Sequence, residues 1–206
     1  WAEKFVSNLQ IKRVTISNRL EPIFISEDFY KGKPNPHAWI SPKRGMIYVD
    51  VIVDSLSELK PSEAESFKNN GQIYKNKIAK IDKDFSLFIN NLEKNNRYLV
   101  TCEGAFSYLT NDYGLKEAYL WPVNAESQIT PKRMARTISL VKNKNIPSVF
   151  CESTVSNESQ MVVASETGAK FGGDLFVDSL SQDNKSANTY LKMLQHNLTL
   201  IKKGLN

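Results

Sequence analysis

A long amphipathic repeat between residues 61 and 96 constrains the fold more than any other feature of this sequence. Its apolar positions step by four and three residues, the spacing that aligns side chains along one face of an α-helix. They are Tyr74, Ile78, Ile81, Phe85, Phe88 and Leu92. Pro61 suits the first helical position, and Glu63 suits the positive end. Since an average helix has only about 11 to 12 residues, we predict that this one is a rigid connection between two lobes.

Two further elements are predicted before the long helix. Residues 42–59 form a helix that begins at Pro42, with Met46, Val49 and Val53 at helical spacing on its apolar face. The segment that starts at Trp1 is typical of the end of an amphipathic helix that runs into a short strand.

After residue 97, short apolar runs alternate with helical patterns. The predicted strands are RYLVTC, AYLW, PSVFC and DLFV, and helices are predicted from Pro131, up to Gly168 and from about Ala187. Strands that alternate with helices indicate a parallel sheet built from right-handed crossover units. This part of the chain is therefore predicted to be an α/β unit.

Composition and motifs exclude several classes of protein. The 27 basic and 22 acidic residues give a net charge of +5, but the lysines are scattered, which argues against a dedicated nucleic-acid-binding protein. No apolar run approaches the roughly 20 residues of a membrane span. The sequence also lacks HExxH, GxSxG, CxxC and a glycine-rich phosphate loop.

Three acidic residues follow predicted strands, where ligands bind in parallel α/β sheets. They are Glu103 after RYLVTC, Glu152 after PSVFC and Asp178 after DLFV. Carboxylates that converge on one crevice repel each other unless a cation or a proton lies between them. Each of them is also suited to cap the helix that follows. These residues alone do not choose among the three acids.

The two histidines of the chain differ in context. His37 lies in KPNPHAWISPKRG at residues 33–45, held between prolines and just before a predicted helix. It is a candidate nitrogen ligand for the same cation, or else a structural hydrogen-bonding residue. His196 lies inside the last predicted helix and is interpreted as a residue of the helix face.

Several separate motifs resemble the solute-binding proteins of manganese, zinc and iron ABC importers. NPHAWISP at 35–42 is similar to the DPHAWLSP of that family, whose histidine binds metal. VTCEGAFSYLTNDYGL at 100–115 resembles the segment that supplies a glutamate or histidine ligand, and LFVDSLS at 175–181 resembles the segment of the aspartate ligand. The long helix with KIDKDF at 80–85 is similar to the connector between the lobes.

The resemblance implies a ligand set and a disulfide. His37, Glu103 and Asp178 become the metal ligands, and Glu152 takes a supporting position. No residue matches the first histidine of the family, so a further histidine ligand is expected upstream of Trp1. Because the resemblance implies export to an oxidising compartment, we hypothesise that the two cysteines, which end two strands, form a disulfide. They are Cys102 and Cys151.

The fold implied by the resemblance is α/β, with two lobes that are each a parallel sheet with flanking helices, joined by one long rigid helix. Residues 1–60 are then the remainder of an N-terminal lobe that is incomplete in this chain, 61–96 the connecting helix and 97–206 the C-terminal lobe.

The function implied by the resemblance is extracytoplasmic capture of a divalent metal and its delivery to an ABC permease, without catalysis. Two carboxylates with one imidazole favour Mn(II), with Zn(II) as the alternative cargo. The protein is expected to be a monomer, periplasmic or lipid-anchored, with no nucleic-acid partner. Rival functions are a metallohydrolase, which needs an open coordination position, and an adhesin or interaction protein, which needs an exposed binding patch.

Overall fold

The computed structural model describes residues 2–7, 9–123, 129–182 and 186–206. The helices and strands in these ranges are α1 (Ala2–Val6), α2 (Pro42–Leu59), α3 (Ala64–Asn91), β1 (Tyr98–Glu103), α4 (Ser107–Tyr113), β2 (Lys116–Trp121), α5 (Pro131–Lys144), β3 (Ser148–Glu152), α6 (Glu158–Thr167), β4 (Lys170–Leu175) and α7 (Tyr190–Leu205). Short 3-10 turns lie at Ala38–Ile40, Pro61–Glu63 and Lys94–Asn96. Within these ranges, none of the helices has the length and apolar character needed to cross a membrane.

The long helix is present as predicted. It begins with the 3-10 turn at Pro61 and continues as α3 for 28 residues. Ile78 and Phe85 of the predicted stripe are completely buried. One part of α3 packs along α2 and another part against α7, so the helix contacts elements from both ends of the chain. The predicted helix from Pro42 is also confirmed and ends at Leu59.

The strands of the second half form the predicted parallel arrangement. β1 pairs with β2 and β3 pairs with β4, both in parallel. β1 and β3 lie next to each other, since the Cα atoms of Cys102 and Cys151 are 4.8 Å apart. The Gln160 side chain of α6 donates hydrogen bonds to the carbonyls of Val100 and Phe150, one on each strand. The four strands therefore form two two-stranded parallel sheets, which lie side by side in the order β2–β1–β3–β4.

Alternation of side chains along these strands builds a core on each side. Leu99 of β1 faces the cluster formed with α3, α4 and α7, whereas Val100 faces the cluster formed with α5 and α6. Positive backbone angles at Gly114 and Gly168 end α4 and α6, and the second of these is the predicted helix end. The chain thus returns to the sheet after each helix, and the carboxyl ends of β1 and β3 meet at one edge.

The strand predicted at DLFV is misplaced. β4 ends at Leu175, so only its first half overlaps the prediction. Asn197 of α7 explains the early end, because its side chain accepts a hydrogen bond from the Phe176 N–H and donates one to the Phe176 carbonyl. These bonds replace a strand partner at Phe176. Asp178 consequently lies in a loop three residues beyond β4.

The amino-terminal prediction is partly wrong. The predicted helix is present as α1, although its first residue, Trp1, lies outside the described residues. Residues 10–15 form no strand, and Ile11 and Val14 are exposed. In the described residues before 97, the isolated bridge between Phe24 and Pro34 is the one strand-like pairing, so the predicted strand has no partner there.

Gly71 permits the close approach of α2 and α3. A Cβ atom at this position would collide with the Val53 side chain of α2. Gly71→Ala is therefore expected to lower the free energy of unfolding by about 1–3 kcal/mol, the usual cost of overpacking, although alanine is the better helix former. Urea denaturation measures this change. Lys77→Ala, on the exposed face of the same helix, is the control and should change it by less than about 0.5 kcal/mol. An equal effect of both substitutions would contradict the packing argument.

Candidate metal centre

His37 is held in a fixed position in front of the 3-10 turn Ala38–Ile40. Its side chain is 4% exposed. The ring nitrogen Nδ1 lies 2.9 Å from Oδ1 of Asn35, and the backbone N–H of His37 donates to the same oxygen at 3.1 Å. The Trp39 ring packs edge-on against the imidazole, with 5.3 Å between the ring centroids. The other ring nitrogen, Nε2, is therefore the one directed toward Asp178.

Asp178 is brought to His37 from the opposite end of the chain. Its Oδ1 lies 3.7 Å from Nε2 of His37, and its side chain is 48% exposed. The Trp39 indole N–H donates to the carbonyl of Val177 at 3.1 Å, and the Tyr190 hydroxyl donates to the carbonyl of Trp39 at 2.8 Å. These bonds hold the loop after β4 against the His37 turn, so the two predicted ligands meet in a partly open cleft.

Glu103 lies buried at the carboxyl end of β1. Its backbone N–H donates to Oε2 of Glu152 at 3.0 Å, across the boundary between β1 and β3. The next residue, Gly104, accepts a hydrogen bond from the Asn35 side chain at 2.7 Å. Glu103 is thereby linked to the His37 loop through its neighbour in the chain.

Glu152 is buried beside Glu103. Burial raises the pKa of its carboxyl group well above the ordinary value, and the nearby charge of Glu103 raises it further, although the hydrogen bond from the Glu103 N–H opposes this. Its Oε1 has no hydrogen-bond partner among the described residues. The supporting role of Glu152 at a metal site stays a prediction.

An ion pair joins α2 and α4, the helices that follow His37 and Glu103 in the chain. Arg44 of α2 donates to both carboxylate oxygens of Asp112 in α4, at 2.8 to 3.1 Å, and both side chains are mostly buried. Ser41 donates to the same carboxylate at 2.7 Å. This fork geometry holds the start of α2, just after His37, against the helix that follows Glu103.

The structure brings the predicted site residues together in part. His37 and Asp178 are in direct proximity, and Glu103 lies at the same edge of the sheet. In the described ranges, the one group of three potential metal ligands consists of Cys102, Cys151 and Glu152, with ligand atoms within 4.8 Å of one another. Both of its sulfur atoms are in the Cys102–Cys151 disulfide. The hypothesised disulfide is present, and the three-ligand set stays a prediction.

Sequence reasoning missed Asn35. A signal was present, because asparagine in a turn often accepts a hydrogen bond from the backbone two residues later, which is the bond to His37. His196 lies on α7 as predicted, where Nε2 approaches the carbonyl of Asp174 at 3.2 Å.

Comparison with known proteins places this chain in a family. The model of the family ZnuA, zinc-uptake complex component A, periplasmic, matches residues 1–204. The chain belongs to this family. Iron-binding protein YfeA of Yersinia pestis, a relative, is 40% identical over 205 residues, which are 99% of this chain and 66% of YfeA. The manganese ABC transporter substrate-binding lipoprotein PsaA of Streptococcus anginosus is 30% identical over 210 residues, or 100% of this chain and 68% of PsaA. The chain thus spans about two thirds of the length of these relatives.

Solved structures of similar proteins support the fold. The Mn-bound periplasmic metal binding protein of Candidatus Liberibacter asiaticus superposes with a TM-score of 0.90 at 38% identity, covering 98% of this chain and 75% of that chain. The periplasmic zinc binding protein TroA of Treponema pallidum superposes with a TM-score of 0.84 over 98% of this chain and 75% of that one, and its 24% identity supports the fold alone. These relatives are named as binding proteins, in agreement with the expectation that the chain is not an enzyme.

Proposed function

We propose that this chain is part of an extracytoplasmic receptor that captures one divalent transition-metal ion and delivers it to the permease of an ABC importer. The observation that carries the proposal is the 3.7 Å separation between Nε2 of His37 and Oδ1 of Asp178. Two ligand atoms about 2.0 to 2.2 Å from one tetrahedral ion are about 3.3 to 3.6 Å apart. At 3.7 Å the pair lies slightly beyond this range, so a small shift of the half-exposed Asp178 side chain would bring both atoms to a shared ion.

We infer that the third ligand of the described chain is the carboxylate of Glu103. Support comes from its burial at the edge of the sheet where the His37 loop is attached. Buried carboxylates are paired or bind metal, since an isolated buried charge is costly. A further histidine ligand upstream of Trp1, as the family resemblance implies, remains part of the proposal.

We propose Mn(II) as the cargo, with Zn(II) as the second candidate. Carboxylate oxygens suit Mn(II), and two of the three proposed ligands are carboxylates. The manganese proteins among the relatives support this choice, whereas the iron-binding and zinc-binding relatives support other ions. Because intrinsic affinities rise from Mn(II) to Zn(II), selection of Mn(II) depends on geometry and supply.

The proposed location is the periplasm or the outer face of the cytoplasmic membrane. Relatives named as periplasmic proteins and as lipoproteins support it. The disulfide is in keeping with an oxidising compartment. A monomer remains the expected state, and the adhesin and metallohydrolase alternatives have no specific contact in the described chain that favours them.

Metal analysis tests the proposal directly. The protein purified without added metal is expected to contain a single divalent ion per chain, which a chelator removes and Mn(II) or Zn(II) restores. Competition titration should give tighter binding for Zn(II) than for Mn(II), as the intrinsic order requires. A chain that binds neither ion would refute the proposed function, and turnover of a hydrolysable substrate by the loaded protein would favour the metallohydrolase.

A further inference from the structure

Asn35 lies almost fully buried between the His37 loop and the carboxyl end of β1. Its Oδ1 accepts from the backbone N–H of His37 at 3.1 Å, and its Nδ2 donates to the carbonyl of Gly104 at 2.7 Å. A backbone N–H only donates and a backbone carbonyl only accepts. These two bonds therefore determine which end of the amide is the oxygen.

The orientation of the Asn35 amide determines which nitrogen of the His37 ring carries the hydrogen. Nδ1 of His37 lies 2.9 Å from Oδ1 of Asn35, and an amide oxygen can only accept. Nδ1 must therefore carry the hydrogen, and in the neutral ring the lone pair is left on Nε2, the atom 3.7 Å from Asp178.

We propose that Asn35 is a positioning residue of the metal site, which fixes the Nδ1–H tautomer of His37 and attaches the His37 loop to the chain beside Glu103. This inference rests on the proposed function, since a tautomer with a free Nε2 matters for binding only if His37 is a ligand. The hydrogen-bonded partner of a metal-ligating histidine sets both ring orientation and basicity.

A polar chain behind Asn35 keeps its amide from rotating. Nδ2 also lies 3.2 Å from Oγ of Ser107, whose hydroxyl donates to Oε2 of Glu117 at 2.7 Å. The other oxygen of Glu117 accepts from the Phe106 N–H at 3.1 Å. With its hydrogen given to the carboxylate, Ser107 can only accept from Asn35. A flipped amide would lose the bonds from Nδ2 to Ser107 and to the Gly104 carbonyl together.

Two substitutions separate the two roles of Asn35. Asn35→Asp keeps an oxygen that accepts from Nδ1–H but cannot donate to Gly104 or to Ser107. Asn35→Ala removes the acceptor and the donor. Gln160→Ala is the matched control, because Gln160 is an equally buried amide that donates to two carbonyls away from His37.

Nitrogen-15 NMR of the imidazole rings measures the tautomer in the metal-free protein at about pH 8, above the ordinary histidine pKa of about 6.5. The chain supplies an internal reference: Nε2 of His196 faces the carbonyl of Asp174, an acceptor, so His196 is expected as the Nε2–H tautomer. In the wild-type spectrum, the His37 ring should be the Nδ1–H type and the His196 ring the Nε2–H type. Asn35→Ala should convert His37 to a mixture, while Asn35→Asp and Gln160→Ala leave it as Nδ1–H.

Isothermal titration with Mn(II) completes the test. Asn35→Ala should weaken binding about 10–100-fold, the usual cost of removing a partner behind a metal-ligating histidine. Gln160→Ala should lower stability to a similar extent as Asn35→Ala without changing the tautomer of His37. A wild-type His37 in the Nε2–H form would overturn the proposal, whether or not the variants fold, and so would unchanged tautomer and affinity in Asn35→Ala. If the tautomer shifts as expected and the wild type binds no metal, the proposed function fails and the assignment of the tautomer stands.

Discussion

Asp178→Ala is expected to lower the affinity for Mn(II) by more than about a hundredfold, because loss of a ligand should cost more than the 10–100-fold that loss of a supporting partner costs. The carboxylate lies 3.7 Å from Nε2 of His37 and is half exposed in the cleft. Its removal therefore takes a charge from the site without opening a cavity in the core. Isothermal titration measures the affinity, and the free energy of unfolding should change by less than about 0.5 kcal/mol.

Asp174→Ala is the matched control for this variant. Asp174 is an exposed aspartate near the end of β4, four residues before Asp178, and it accepts a hydrogen bond from Asn157 at 3.3 Å. Both substitutions remove the same charge from the same region of the protein. If long-range attraction of the cation were the main effect, the two variants would bind Mn(II) equally weakly. A wild-type affinity in Asp178→Ala would contradict its assignment as a ligand.

Local sequence patterns predicted most of the fold for a physical reason. The apolar residues of α3 repeat at helical spacing because one face of the helix packs against α2 and α7, with Gly71, Ile78, Phe85 and Ile89 buried. β1 and β3 are covered on both sides, so they read as continuous apolar runs. Such patterns involve residues that are close together in the sequence, so they can be recognised without knowledge of tertiary contacts.

Features that depend on distant contacts escaped prediction. β4 contains Gly172 and Gly173, which weaken a strand signal, and its end is set by Asn197 of α7 rather than by its own residues. The residues from Asp174 to Val177 look more like a strand in isolation. The predicted strand at residues 174–177 therefore lies too far toward the carboxyl end, over the apolar residues Phe176 and Val177.

The candidate site also combines residues that local patterns indicate with contacts that only the fold creates. His37 and the three acids became candidates because their positions relative to a helix or a strand are local, and the resemblance selected Glu103 and Asp178 among the acids. The hydrogen bond from Asn35 to Gly104 joins residues 69 positions apart. Sequence spacing does not predict a contact between residues so far apart. The hydrogen bond from the His37 N–H to Asn35, two residues away, could have been predicted locally.

Loss of the disulfide is expected to lower the free energy of unfolding of the metal-free protein by about 4 kcal/mol, as chain entropy predicts for a loop of this length. The bond joins Cys102 and Cys151 across a sequence separation of 49. Both residues are completely buried between the strands that carry Glu103 and Glu152. Without the bond, the unfolded chain gains freedom, whereas the packed strands keep the folded state in place.

Urea denaturation of the metal-free protein measures this loss. The free energy of unfolding is compared between samples without reductant and samples in which reductant is present throughout unfolding and refolding. The double variant Cys102→Ala/Cys151→Ala should be destabilised at least as much as the reduced wild type, because it also loses buried sulfur from the core. Reductant should not change the free energy of unfolding of the double variant. That result would assign the effect of reductant on the wild type to the Cys102–Cys151 bond. A decrease below about 1 kcal/mol would mean that the unfolded chain already holds the two strands close together, since residual structure is what removes the entropic advantage of a crosslink.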